Sequence, residues 1–311
     1  MVEFSHFNNI HSNQNQNFLF KMKWINRNDS ETNYEDRRGR SVKRGAAFGG
    51  IGAVIIAIIA LLLGQDPSQI LNLAGEFSTG QSSEELVDAS RMHENEELKV
   101  FTLGVFNSAN DVWTEIFKKQ LNRKYQNPVL VNFTDYTTSP CGGASEQTGP
   151  FYCPADEKIY IDLNFFHQLV SEYGAQGEMA MAYVTAHEVG HHIHKLLGIL
   201  DQMNQKRGRI SEKEYNKLNV KLELQADFFA GVWAYQAAKA GTILLEPGDL
   251  ESAISAANAV GDDTLQKKSM GYTVPDSFTH GTSAQRIYWF RKGYETGDIS
   301  LGDTFNDPSL N

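Results

Sequence analysis

Cysteine is nearly absent, with two in 311 residues. That count excludes a disulfide-dense scaffold and a four-cysteine zinc site, so any metal has to be held by His and carboxylates. Basic residues are also in short supply: 28 Lys and Arg stand against 38 Asp and Glu, for a formal net charge of -10 and a pI near 5.4. Phosphate recognition needs a basic face, so nucleic acid is not expected as a partner. A mean hydropathy of -0.40 rules out a polytopic membrane protein, although such an average hides a single span. No internal repeat is present. What remains suffices for a packed core, with 41% hydrophobic and 11% aromatic residues. At roughly 150 residues per domain the length implies one or two domains.

Only one long apolar run occurs, Ala46 to Gly64, which is 19 residues without a charge. A membrane-spanning helix needs about 20. Arg37, Arg38, Arg40, Lys43 and Arg44 precede it, while Asp66, Glu76, Glu84 and Glu85 follow. The positive-inside rule then places the N-terminus in the cytoplasm and the C-terminal part outside the cell membrane. A buried core helix and a cleaved signal peptide are the alternatives. The run exceeds the usual apolar region of a signal peptide, roughly 7–15 residues, and no A-x-A site follows, so an uncleaved single-pass anchor is expected. Residues 1–45 read as a largely disordered cytoplasmic tail. Its first 21 residues are rich in Asn, Gln, His and Phe, and Met22 is a candidate true start. Residues 46–64 form the span, 65–97 a polar stalk, and 98–311 one globular domain.

Within that domain Lys99–Leu103, Val129–Phe133 and Ile159–Leu163 read as strands. Ser108–Tyr125 reads as a helix capped by Ser108 or Asn110, with further helices at Gly177–Leu197, Ser211–Ala240, Asp249–Val260 and Ser283–Gly293. Strands early and helices late indicate an α+β domain, mostly helical with a small sheet. Ile159–Leu163 is also a candidate edge strand for pairing with an extended peptide.

The helix at 177–197 contains His187-Glu188-Val189-Gly190-His191. Two His at i and i+4 share one helical face and can meet one Zn²⁺. Glu188 is turned about 100° away, beside the metal, where it can take a proton from metal-bound water. Gly190 leaves room for another element to pack against the helix. A catalytic zinc needs a third protein ligand and an open position. Glu223 and Asp227, again i and i+4, lie in a strongly apolar helical segment where lone carboxylates are costly. Glu223 is therefore expected to bind the metal, and Asp227 to orient a ligand imidazole. The competing readings are a surface helix with satisfied histidines and a solvated acidic stripe.

HEVGH followed about thirty residues later by ELQADFFAGVW resembles the "putative neutral zinc metallopeptidase" family of bacteria. KWINRNDSETNYEDRRG (23–39), SPCGGASEQTGPFYC (139–153), IYIDLNFF (159–166) and SFTHGTSAQR (277–286) extend the likeness. The resemblance implies a zincin-like fold, zinc at His187 and His191, Glu188 as general base and Glu223 as third ligand. His280 is a candidate donor to the oxyanion of a tetrahedral intermediate, with a loop or capping role as its alternative. Arg286 can pair with an acidic neighbour. His192 and His194 read as packing or surface residues. Cys141 and Cys153 enclose a Gly-rich loop, and a disulfide suits their spacing better than a pair of zinc thiolates, which normally sit two to four residues apart.

The expectation is a membrane-anchored zinc metallopeptidase with one Zn²⁺ per chain, acting on peptides or proteins. An inactive zinc-stabilised membrane scaffold and a zinc hydrolase of a non-peptide amide share the same ligand set.

Overall fold

The computed structural model describes residues 21–42, 85–87, 93, 95–145 and 149–310. The architecture is α+β, mostly helical around a small sheet. Four strands form that sheet in the order β2 (Tyr34–Arg37), β5 (Val129–Phe133), β9 (Lys158–Asp162) and β8 (Phe151–Cys153). The first three run parallel and β8 runs antiparallel to β9. The run VLVNF is β-branched and apolar on both sides, as a strand covered on both faces requires. Leu130, Ile159 and Ile161 face the main helical core. Val131, Phe133, Tyr160, Cys153 and Ala144 form a second small core under the hairpin of β6 (Tyr136–Ser139) and β7 (Gly142–Ser145).

The helices pack on the first face. They are α1 (Glu96–Lys119), α2 (Leu163–Ser171), α3 (Glu178–Leu196), α4 (Ile199–Lys206), α5 (Glu212–Lys239), α6 (Asp249–Ala259), α7 (Asp262–Met270) and α8 (Ser283–Thr296). Ser211 caps α5 and Thr282 caps α8, each in a reciprocal capping box. Two close crossings set the helix positions. At the α3–α5 crossing a Cβ on Gly190 would lie 3.1 Å from Ala226 Cα. At the α5–α8 crossing a Cβ on Gly231 would lie 2.1 Å from the Phe290 carbonyl oxygen, and one on Gly293 2.1 Å from that of Phe228. The glycines there are required by backbone approach.

Residues 22–42 do not form a disordered tail. β1 (Lys23–Trp24) pairs antiparallel with β10 (Ile243–Leu244), β2 pairs with β5, and β3 (Arg40–Val42) pairs with β4 (Glu85–Val87). Met22 is buried, and its backbone N–H donates to Glu178 Oε2 at 2.9 Å. The strand YEDR escapes hydrophobic-pattern reading because it is an edge strand whose charges are satisfied by ion pairs rather than by water. The globular domain therefore includes residues 22–42 as well as those beyond 95.

Lys99–Leu103 belongs to α1, which begins at Glu96 rather than at residue 108. A five-residue apolar run does not distinguish strand from helix, and the continuous burial of Phe101, Val105, Ala109, Val112 and Ile116 decides for the helix. Ile159–Leu163 is interior to the sheet, and the edge strand beside α3 is β8. The expected span, 46–64, lies outside the described residues. Among the described residues no helix is long and apolar enough to cross a membrane.

Candidate metal centre

The crossing of α3 and α5 at Gly190 and Ala226 brings five of the expected residues together, His187, Glu188, His191, Glu223 and Asp227. His187 Nε2 lies 3.1 Å from His191 Nε2 and 3.1 Å from Glu223 Oε2, and His191 Nε2 lies 3.5 Å from Glu223 Oε1. Bonds of about 2.0–2.1 Å to one tetrahedral ion separate its ligand atoms by about 3.3–3.4 Å. The three observed spacings bracket that value. His187 Nδ1 lies 2.8 Å from Asp227 Oδ1, a partner that orients the ring so that Nε2 faces the cluster. The donor set thus fits zinc: two imidazole nitrogens and a carboxylate converge, with Glu188 alongside. Ligand atoms of His187, Glu188 and His191 all lie within 4.8 Å of one another.

Charge within the site favours a cation. Burial alone would push His187 down, but the carboxylates of Asp227 and Glu223 outweigh it and raise it to about 10. Burial pushes Glu223 up, and His191 and His187 more than reverse this, holding it well below the usual carboxylate range. Glu188 differs: burial raises it, and the neighbouring imidazoles only partly offset that. It is the carboxylate best matched to holding a proton.

A shell of buried partners fixes the ligands. Asp227 is fully buried and accepts from Tyr183 Oη at 2.5 Å, from Arg286 Nη2 at 2.8 Å and from Arg286 Nε at 2.9 Å, besides His187. Arg286 is itself 4% exposed, and its acidic partner is Asp227. Burial opposes the charge on Asp227, yet Arg286 and His187 hold its pKa below the ordinary value. Tyr183 has no signal in H-E-x-x-H itself, but it sits one turn before His187 on the same helical face.

His280 stands at the lip of the site with its side chain 49% exposed, and its Nδ1 lies 3.2 Å from Asp262 Oδ1. The other oxygen of Asp262 accepts backbone N–H bonds from Thr279, His280 and Gly281 at 2.7, 2.6 and 3.0 Å. Partial desolvation opposes a charge on His280, but Asp262 and Glu223 outweigh it and raise its pKa. Asp262 was not singled out in the sequence. It lies eighteen positions before His280 with no local pattern linking the two, and only the docking of α7 against the start of α8 joins them.

His192 and His194 are packing residues. His192 Nε2 donates to the Gln126 carbonyl at 2.7 Å, and Tyr152 Oη lies 3.0 Å from its Nδ1, tying α3 to the β8 edge. His194 is fully buried between the rings of His191 and Phe229, and burial drives its pKa down. Cys141 and Cys153 are joined by a disulfide with a Cα–Cα distance of 5.8 Å, which ties the β6–β7 hairpin to β8.

Two imidazole nitrogens and one carboxylate thus converge, with a further carboxylate beside them. The chain belongs to the family described as putative neutral zinc metallopeptidase, whose model matches residues 22–305. It is 42% identical over 293 residues to the uncharacterized protein YpfJ of Escherichia coli strain K12, covering 91% of this chain and 99% of that one. It is 39% identical over 269 residues to the uncharacterized proteins Mb2605 of Mycobacterium bovis and Rv2575 of Mycobacterium tuberculosis, covering 81% of this chain and 86% of each. No solved structure matches it.

Proposed function

We propose that the protein is a membrane-anchored, zinc-dependent peptidase with a zincin-like domain, binding one Zn²⁺ through His187, His191 and Glu223. The observation that carries this reading is the convergence of those three donors at 3.1–3.5 Å, with the buried carboxylate of Glu188 alongside. Zinc, when bound, supplies a Lewis acid that polarises a carbonyl and acidifies water. Glu188, raised by burial, takes the proton from the attacking water and passes it to the leaving amine. His280, held through Nδ1 by Asp262 and favoured in its protonated form by Asp262 and Glu223, then carries a second proton on Nε2 that can be donated to the developing oxyanion. Asp227 fixes the ring orientation and tautomer of His187. Among the described strands β8 is the sheet edge nearest α3, which suits an extended peptide adding as a further strand. The apolar run 46–64 serves as the membrane attachment.

Metal analysis joined to a cleavage profile over an unbiased peptide library tests the reading. One zinc per chain and peptide turnover are expected. Glu188→Gln should keep the zinc and lose turnover by about 10²–10⁴-fold. A wild-type protein that holds zinc and cleaves no peptide would instead support the scaffold or non-peptide amide alternative.

A further inference from the structure

The segment Lys23–Gly39 stands apart from the metal centre, and the proposed chemistry does not use it. Its placement nevertheless constrains how the whole chain can meet a membrane. β2 lies parallel to β5 with Tyr34 opposite Leu130 and Arg37 opposite Phe133, on the sheet edge remote from β8. Ahead of it, Asn107 Nδ2 donates to the carbonyls of Asn28 and Ser30 at 2.8 and 3.0 Å, and Lys99 pairs with Glu31 at 2.7 Å. Glu35 accepts from Lys158 at 2.7 Å. Arg38, 2% exposed, binds Asp36 and also reaches Glu96 Oε2 at 2.9 Å. Residues 38 and 96 are therefore in contact.

β3 and β4 narrow the geometry further. They pair antiparallel, with Arg40 opposite Val87 and Val42 opposite Glu85. Neighbouring strands are about 4.8 Å apart. Residues 42 and 85 are thus neighbours on paired strands. Between these points lies the sole long charge-free apolar run, 46–64. A single crossing would separate its two flanks by about 30 Å of hydrocarbon. Residues 65–84 cannot supply a return span, since they hold Asp66, Glu76 and Glu84 and no comparable apolar run.

The charge pattern that suggested the opposite arrangement is also reduced. Arg37 is paired with Glu35, and Arg38 with Asp36 and Glu96, so two of the five cations are committed to the fold. Their presence in the sequence is explained without any topology signal.

We propose that residues 22–42 and 96–311 lie on the same side of the membrane, and that the protein is attached from that one side through 46–64. This inference rests on the membrane attachment proposed above and replaces the arrangement with the N-terminus and the domain on opposite faces.

Two single-cysteine additions to the full chain test it. Ser30→Cys reports on the N-terminal segment and Ser309→Cys on the C-terminal end, both at exposed positions. Membrane pellets are collected, and a membrane-impermeant maleimide is applied to intact and to lysed cells. The expected result is a membrane-bound protein whose two positions label alike, both before lysis or both only after it. Labelling from opposite sides would overturn the one-sided arrangement while leaving attachment in place. Recovery of the wild-type chain in the soluble fraction would overturn attachment and this inference with it. A second variant replaces residues 43–84 with a short Gly/Ser hairpin linker. It should be released from membranes yet keep the wild-type thermal midpoint within a few degrees. Loss of folding there would show that the two ends are not neighbours.

Discussion

Asp227 accepts hydrogen bonds from three different side chains, Tyr183, His187 and Arg286, while wholly removed from water. A carboxylate so placed is worth little by itself, because the cost of desolvating it offsets much of its attraction. Its value lies in what depends on it. Asp227→Asn keeps the shape but leaves the Arg286 guanidinium buried against a neutral amide. Denaturant titration should show a loss of about 3–5 kcal/mol, the usual cost of an uncompensated buried charge. Chelator competition should show zinc held about 10–100-fold more weakly. A variant with unchanged stability and affinity would remove Asp227 from its supporting role. At this scale sequence legibility follows distance along the chain. His187, Glu188 and His191 lie within one helical turn, so periodicity places them relative to one another. Asp262 and His280 meet only because Gly261 lets the start of α7 approach Ser283, a contact that no local pattern encodes.

Between elements, the two glycine crossings differ in how much they can give. A Cβ at Gly190 would meet Ala226 at 3.1 Å, a strain that a shift of a few tenths of an ångström relieves. A Cβ at Gly231 would lie 2.1 Å from a backbone oxygen, which cannot rotate away. Gly231→Ala should therefore cost at least about 3 kcal/mol, at or beyond the upper end of the usual overpacking range, and Gly190→Ala clearly less. Thermal denaturation of both variants compares them, and a larger loss for Gly190→Ala would contradict this ranking. The disulfide acts on the same level, tying the hairpin to β8 across a separation of 12 residues. Chain entropy assigns such a loop about 3 kcal/mol, so reduction should lower the melting temperature by roughly 6–12 °C in a domain of this size. The helices at 178–196 and 212–239 were legible because their apolar periodicity is long. The strand expected at 99–103 failed because a short apolar run carries no period of its own.

For the molecule as a whole, residues 22–42 are the largest departure from sequence reading. Hydrophobic pattern finds strands that bury apolar faces, and β2 is instead held at its edge by charge. Glu35 shows the consequence. The Arg37 hydrogen bond, and Lys158 behind it, lower its pKa to about 2 against the partial burial that would raise it. A carboxylate depressed on folding stabilises above its unfolded value, near 4.5, and loses that contribution as pH falls toward 2. The gap in unfolding midpoint between wild type and Glu35→Gln should be widest above pH 5 and close between about pH 4.5 and 2. A gap that widened on acidification would reverse the assigned sign.

The pairing of β2 with β5 also fixes an order of events during synthesis. Tyr34 leaves the ribosome about a hundred residues ahead of Leu130, its partner in the sheet. At about 5–20 residues per second the strand waits roughly 5–20 s before a place for it exists. The apolar run 46–64 is made within that interval. Insertion of the run across a bilayer as soon as it emerged would leave β2 stranded from β5 for good. The finished sheet therefore requires that the first strand made be retained until one of the later ones arrives.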